Sequence, residues 1–527
     1  MNTVSTTAAV PAPSLTGMPA AVLTALAGSF LSNLTGQFVG TNLADIQGGI
    51  GASGDEASWI ATVFQVASAV GIIVSPPLTR ALGLRRYLTW STIVFAACAW
   101  ICAIAGALPT ILFARAVQGF AAGGFGPIAF TTIFMMCKGP RLAFGLSMLA
   151  FVLVSAVNVG PVLSAPIEAA FGWRGLFVAQ FIASMLLLMA ALRWMPPSAP
   201  IDRAPFKTDW LQFTLLAFAS GALFLALGQG TRRFWLDNAT VAWAFSIAIG
   251  ASVGFAFAWR HAKAPILNIR TLTSRRFGIP IALNLVFRAT FATSVYLIPL
   301  LLAMSLGYRP LEIANALWWI VIPQVIALPL VWRAMHAWDN RMPAIFGLLL
   351  VALGTWIAAF STSLVGAEQL RLSLALIGVG QVFFLVPVLL IGAGSLTPEE
   401  GPTASIAFNL TTIMGTVVGT GLVSHFVTER EKYHSSVLVE HITAGVVAQN
   451  DRLARLTDAW SMRIGDDAIA TARAVAQIGA TVRREAWLLA INDGFALIAL
   501  VLLVAAIGVA TIGRSPPLSR ASEGTPP

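Results

Sequence analysis

Five ionisable residues, Asp45, Arg115, Glu168, Arg288 and Asp493, interrupt stretches that otherwise read as apolar. A charge in hydrocarbon is expensive and survives beside water, an opposite charge or backbone carbonyls, so each is a functional candidate. The chemistry open to the three carboxyls is reversible protonation. Burial disfavours the charged form of an acid and a neighbouring cation favours it, so an Asp or Glu beside Arg115 would suit proton exchange. Asp45 ranks first among them. Glu168, near Phe171-Gly172-Trp173-Arg174, also reads as an interfacial residue, and Asp493 is balanced between a structural and a functional role. Arg288, flanked by Phe287 and Phe291, would bind an anionic group or pair with a carboxylate. Gln118, Asn284, Gln324, Gln381, Asn409 and Trp319 are candidate cavity residues. For the amides, hydrogen bonding between helices is the alternative.

The elements that must position these residues are membrane helices. The chain is 57% hydrophobic and 10% charged, with mean hydropathy +0.82. A soluble protein carries about 25% charged residues, so most of this surface faces lipid. Apolar segments near 20 residues long, the length needed to cross about 30 Å of hydrocarbon, fall at 21–47, 57–79, 87–106, 109–136, 142–168, 174–195, 209–229, 239–259, 277–305, 311–333, 343–363, 370–395, 402–427 and 487–511.

Short loops fix the topology, because Lys and Arg accumulate on the cytoplasmic side. One set of connections holds Arg80, Arg85, Arg86, Lys138, Arg141, Arg193, Arg203, Lys207, Arg260, Lys263, Arg270, Arg275, Arg276, Arg333 and Arg341, and the tail adds Arg514 and Arg520. The other set holds Arg174, Arg232, Arg233, Arg309 and Arg371. Both termini are therefore expected in the cytoplasm. The expected organisation is a tail (1–20), a six-helix bundle (21–205), a transmembrane hairpin (206–262), a second six-helix bundle (263–513) and a tail (514–527). The second bundle carries an external polar segment, 428–486, in which Val446, Val447, Leu453, Leu456 and Trp460 recur at helical spacing until Gly465. Two amphipathic helices outside the membrane are expected there, as a solvated cap or a docking site.

Other functions find little support. The net charge of +10 is accounted for by basic loops and needs no nucleic acid. Cys98, Cys102 and Cys137 lie in or beside apolar segments and read as small packing residues. The five histidines have no ligand spacing within a span, which argues against a metal site or a membrane-embedded enzyme. There is no phosphate-binding Gly-x-x-x-x-Gly-Lys-Ser/Thr, so ATP-driven pumping is not expected. The polar start, Met1 to Leu15, has no basic region of the kind that opens a signal peptide.

Four motifs resemble the major facilitator superfamily. Arg115-Ala116-Val117-Gln118-Gly119 is similar to the Arg-x-x-Gln-Gly of its fourth helix, and Asn158-Val159-Gly160-Pro161-Val162-Leu163-Ser164-Ala165-Pro166 resembles the antiporter motif of its exporters, with Ser164-Ala165 in place of the usual Gly-Gly. Pro161 would bend that helix and Gly160 would allow close packing. Pro76 to Arg86 resembles the cytoplasmic loop motif, with Gly83 at the turn, Arg80 where Asp is usual, and Arg86 among the arginines that would latch the inner gate. Trp338-Asp339-Asn340-Arg341 looks like its counterpart in the second half. Gly40-Thr41-Asn42-Leu43-Ala44-Asp45 is similar to the Leu-Asp-x-Thr region of the fourteen-helix drug:proton antiporter group, the EmrB-like and QacA-like exporters, but the usual Asp falls on Gly40. The group's usual Arg in span thirteen falls on Thr412.

The resemblance implies an all-α integral membrane protein of the superfamily's fold, with two six-helix bundles and a two-helix insertion. It implies a proton-coupled efflux transporter in a bacterial inner membrane. Such a transporter exports small amphipathic compounds by alternating access and draws on the proton gradient with no cofactor. A periplasmic adaptor and an outer-membrane channel are the implied partners. The proton-coupling residues would be Asp45, Arg115, Glu168 and Asp493. Gating would involve Gly160, Pro161, Arg80, Gly83, Arg86, Asp339 and Arg341. The alternative is a narrow exporter of an aromatic or fatty acid, with Arg115 and Arg288 on its carboxylate.

Overall fold

The structure, a computed structural model, describes residues 18–198, 200–201, 210–262, 265–394, 396–397, 400–443 and 447–512. Most of both tails, the basic residues Arg203, Lys207, Lys263, Arg514 and Arg520, and Val446 lie outside the described residues. Within them the regular structure is entirely helical. Among the described residues, thirteen helices are long and apolar enough to cross a membrane.

The first half comprises α1 (Ala20–Thr41), α2 (Leu43–Ile50), α3 (Gly54–Leu82), α4 (Leu84–Ile104), α5 (Leu108–Gly123), α6 (Phe125–Met136) and α7 (Pro140–Trp194). Ser53 starts α3 with a reciprocal capping box to Glu56, which satisfies two backbone donors that a helix start leaves free. α5 and α6 together are long and apolar enough for one crossing. α7 is 55 residues long, about 80 Å at 1.5 Å per residue, more than twice a bilayer. Gly172, at φ +67°, breaks it; a left-handed backbone here favours glycine. The two parts, 140–171 and 173–194, lie where the hydropathy placed two separate spans.

A helical hairpin follows, α8 (Trp210–Gln229) and α9 (Ala239–His261). The second half contains α10 (Ile269–Thr273), α11 (Gly278–Ala289), α12 (Ile298–Leu306), α13 (Pro310–Ala337), α14 (Arg341–Ala358), α15 (Arg371–Ala393), α16 (Gly401–Thr443), α17 (Val447–Ile464) and α18 (Asp467–Ala510). A π-helical stretch, Thr293–Leu297, lies between α11 and α12.

Helix packing divides the molecule. α1 packs on α7, α3 on α5 and α4 on α7; in the second half α14 packs on α15 and α18, α13 on α15, and α11 on α16. The halves meet where α7 touches α13 and α15, and where α16 touches α3 and α6. The hairpin lies against α3 and α16. Large apolar side chains such as Trp90, Phe113, Ile249 and Ile507 are exposed on the outside, as a surface facing hydrocarbon requires.

The polar segment 428–486 is helical over its described residues apart from the break at Gly465 and Asp466, and its helices are continuous with the spans. Its first part continues α16, its last part continues α18, and α17 packs on α18. Trp460 Nε1 donates to Gln477 Oε1 at 3.0 Å to join α17 to α18.

Candidate functional site

Between the halves is a cavity of about 80 Å³. α1 contributes Asn33 and Gln37, α3 contributes Phe64 and Gln65, and α11 and α16 contribute Arg288 and Asn409. Asn33 and Gln37 are four residues apart and so share one face of α1. Gly160 is what brings α7 close: a Cβ there would lie 2.3 Å from Gln37 Cβ.

Arg288 is fully buried. Its Nη1 donates across the interface to the Leu153 carbonyl at 3.1 Å, and its Nε and Nη2 have no protein acceptor among the described residues. Below it in sequence, Asn284 Nδ2 donates to Thr411 and Thr412 hydroxyls at 3.1 and 3.3 Å.

A second polar cluster lies beside the cavity. Gln381 Oε1 accepts from Asn158 Nδ2 at 2.8 Å and from Gln324 Nε2 at 2.7 Å. All three residues are buried, and the bond from Asn158 crosses between the halves. Arg115 belongs to a third cluster, within the first half. Its Nη1 donates to Gln118 Oε1 at 2.8 Å, and Gln118 Nε2 donates to Gln180 Oε1 at 3.1 Å. The guanidinium stacks on Phe64, 3.9 Å from the ring centroid, so Phe64 stands between Arg115 and the cavity.

The acids are elsewhere. Asp45 is exposed on α2 and close enough to Glu168 for their charges to repel. Asp493 pairs with Arg430 at 2.6 Å and His434 at 2.7 Å, where α16 and α18 extend outward. No described Asp or Glu forms an ion pair with Arg115 or Arg288. Of the candidate cavity residues, Arg288 and Asn409 line it; Gln324 and Gln381 form the amide cluster, and Gln118 belongs to the Arg115 cluster. Trp319 is 44% exposed with the Arg371 guanidinium 5.2 Å from its ring. Asn33, Gln37 and Gln65 were not among the sequence candidates, although the spacing of the first two is a legible polar stripe.

The loop residues sit at the opposite end from Asp45. Gly83, at φ +81°, turns α3 into α4, and a Cβ on it would meet Ser198 at 2.6 Å. The same Ser198 hydroxyl accepts from the Arg86 amide at 3.2 Å, while Arg80 is exposed. In the second half Arg341 pairs with Asp339 at 2.9 Å and donates to the Ile512 carbonyl at 3.0 Å. Pro161 lies within α7, one residue past the Gly160 contact.

Two helical halves closed around a polar cavity, with apolar helices on the outside, define a secondary transporter. The Major Facilitator Superfamily model matches residues 25–420. The chain belongs to that superfamily: it is a multi-pass membrane transporter and not an enzyme. It is 24% identical over 473 residues to the colistin resistance protein EmrB of Acinetobacter baumannii, covering 89% of this chain and 91% of that one. It is 25% identical over 405 residues to the multidrug export protein EmrB of Escherichia coli K12, covering 75% and 78%. In fold it is similar to the human organic anion transporter MFSD10, with TM-score 0.57 and 12% identity over 93% of this chain and 99% of that one.

Proposed function

We propose that the protein is a proton-coupled exporter of small amphipathic compounds, with fourteen spans and both termini in the cytoplasm of a bacterium. The observation that supports it most is the polar cavity at the seam of the two halves, in a chain whose relatives are export and resistance proteins. The break at Gly172 supports reading α7 as two spans, and the basic loops at the Arg80–Arg86 and Arg341 end support its assignment to the cytoplasm. Rocking of the halves would break the Asn158–Gln381 and Arg288–Leu153 bonds on one side of the cycle. Asp45 with Glu168, at the outer mouth, are the first candidates for the proton, and Arg115 holds the first-half cluster against the cavity wall. The α16–α18 extension is the proposed contact for a periplasmic adaptor and, through it, an outer-membrane channel.

The test is proton release in inverted vesicles on adding candidate compounds, with wild type beside Asp45→Asn. Release that disappears in the variant supports coupling at Asp45. Release that persists moves the proton to Glu168 or Asp493, and no release with any compound rejects proton antiport of those compounds. Adaptor docking fails if a chain lacking 428–486 still captures the adaptor.

A further inference from the structure

A long apolar groove of about 650 Å³ runs beside the helical hairpin, apart from the seam of the halves. α8 forms its floor from Trp210 to Leu225, α3 supplies Val66, Val70 and Val74 along one wall, and α9 supplies Trp243 on the other. α3 and α9 each pack on α8, and the groove is the space they leave between them. Its only hydroxyls are those of Thr214 and Thr240, and Thr214 already donates to the Trp210 carbonyl at 2.8 Å. Phe218 and Trp243 are 60% and 69% exposed, so the groove opens outward, where a spanning helix meets hydrocarbon. A polar solute lying in it would leave its own hydrogen bonds unmet.

The dimensions suit a lipid chain. From Trp210 to Leu225 the floor runs about 22 Å at 1.5 Å per residue, against the roughly 15 Å of hydrocarbon that one leaflet contributes. One end carries a cation. Trp59 precedes Val66 by seven positions and so continues the Val66–Val70 face of α3 toward the hairpin turn. Arg233, in that turn, stands over Trp59 with its guanidinium 5.3 Å from the ring. Its Nε is buried and has no protein acceptor among the described residues. The acids at this end are Asp55, Glu56 and Asp237. None forms an ion pair with Arg233, and Glu56 is committed to the Ser53 cap. Phe234 and Leu236, both exposed, flank the arginine. α3 begins at this end and finishes at the Arg80 loop, so the cation lies opposite the basic loops.

We propose that this groove is a phospholipid site, with one acyl chain lying along α8 between α3 and α9 and the phosphate on Arg233. The two ends select the occupant together. The apolar floor takes a hydrocarbon chain, and a phosphate oxygen supplies the acceptor that Arg233 Nε lacks. A diglyceride has the chain without the charge, and a soluble anion has the charge without the chain. A lipid so placed bridges α9 to α3. The site needs only a bilayer and is independent of what the transporter exports.

The test is native mass spectrometry of the full-length protein in detergent, titrated with dioleoylphosphatidylglycerol, dioleoylphosphatidylethanolamine and dioleoylglycerol. Both phospholipids are expected to bind, and dioleoylglycerol to bind at least about tenfold more weakly, the factor that a hydrogen bond to a charged group supplies. Arg233→Gln should lose a similar factor for both phospholipids and leave dioleoylglycerol unchanged. Ala222→Phe fills the floor and should weaken all three. Should that variant not fold, the wild type carries the test: phosphatidylglycerol with a diazirine midway along one chain should label residues 210–225 and 240–247. Equal binding of the phospholipids and dioleoylglycerol, undiminished phospholipid binding by Arg233→Gln, or labelling confined to other spans overturns the site. A dimer that Ala222→Phe dissolves would give the groove to a second copy. Labelling of the same peptides by an alkyl diazirine, undiminished by excess phospholipid, would mean bulk hydrocarbon only. Either result also overturns the proposal.

Discussion

Asn158 Nδ2 donates to Gln381 Oε1 at 2.8 Å, a buried hydrogen bond that ties one half of the transporter to the other. The same oxygen accepts from Gln324 at 2.7 Å, so removing the Gln381 side chain strands the Gln324 amide and leaves Asn158 Nδ2 only the Val154 carbonyl at 3.4 Å. Gln381→Leu should lower stability by about 1–3 kcal/mol, the cost of leaving buried donors unmet. It should also favour states in which the halves have parted. Thermal melts in detergent measure the first effect, and labelling of single cysteines in the cavity wall measures the second. An unchanged labelling rate would mean that the bond does not hold the closed state.

Gly40 stands where the antiporter group usually has its acid, and the structure leaves room for one. A Cβ at Gly40 meets no atom within 4 Å, and the residue follows Asn33 and Gln37 on the same face of α1. Gly40→Asp should therefore meet no steric obstacle to folding. In an Asp45→Asn background it should restore substrate-evoked proton release in vesicles. A stable double variant that stays silent would show that an acid on this stripe is not sufficient for coupling.

The spans were legible because hydropathy reports burial in lipid directly, and the gap left between spans five and six falls on the Gly172 break. The outer segment was less so. Residues 428–443 contain neither Gly nor Pro, so nothing ends α16 at the membrane surface, and a change to polar composition does not by itself terminate a helix. The site was harder still. Arg288 was readable as a lone charge in an apolar run, but its pairing with Leu153 depends on how α11 is rotated against α7. For the same reason Trp319 is placed outside the cavity: its type says apolar, and only the packing says which side. Asn158 and Gln381 are 223 positions apart, and no local pattern joins them.

Glu400 gives a pH signature outside the membrane. Thr271 Oγ1 donates to it at 2.7 Å and the Thr397 amide at 3.0 Å, and these bonds, Thr271 first, hold its carboxyl below the ordinary value of 4.5. A lowered folded value means the stabilisation is present above the unfolded value and lost as pH falls through the folded one. Thr271→Val should thus be less stable than wild type at pH 7, with the difference shrinking below about pH 4. Melts at a series of pH values would show this. A difference that stays constant down to pH 3 would assign the loss to packing and not to the carboxylate.

Asp493 can be separated into its two readings by one substitution. Its carboxylate accepts from Arg430 Nε at 2.6 Å and contacts His434 Nε2 at 2.7 Å, and both partners lie on the outward continuation of α16. The acid is about one third exposed, at 34%, so the pairing is screened and is worth about 1 kcal/mol. If it is a strut, Asp493→Asn loosens the outer helices: hydrogen exchange across 428–441 rises, while substrate-evoked proton release stays near wild type. If it carries the proton, release disappears while exchange is unchanged. The position favours the strut. Arg430 and His434 together hold the carboxylate at the point where the bundle passes into the 428–486 extension, and none of the three lines the cavity with Arg288. The expected result is therefore faster exchange with transport retained, and loss of release with unaltered exchange would reverse the assignment.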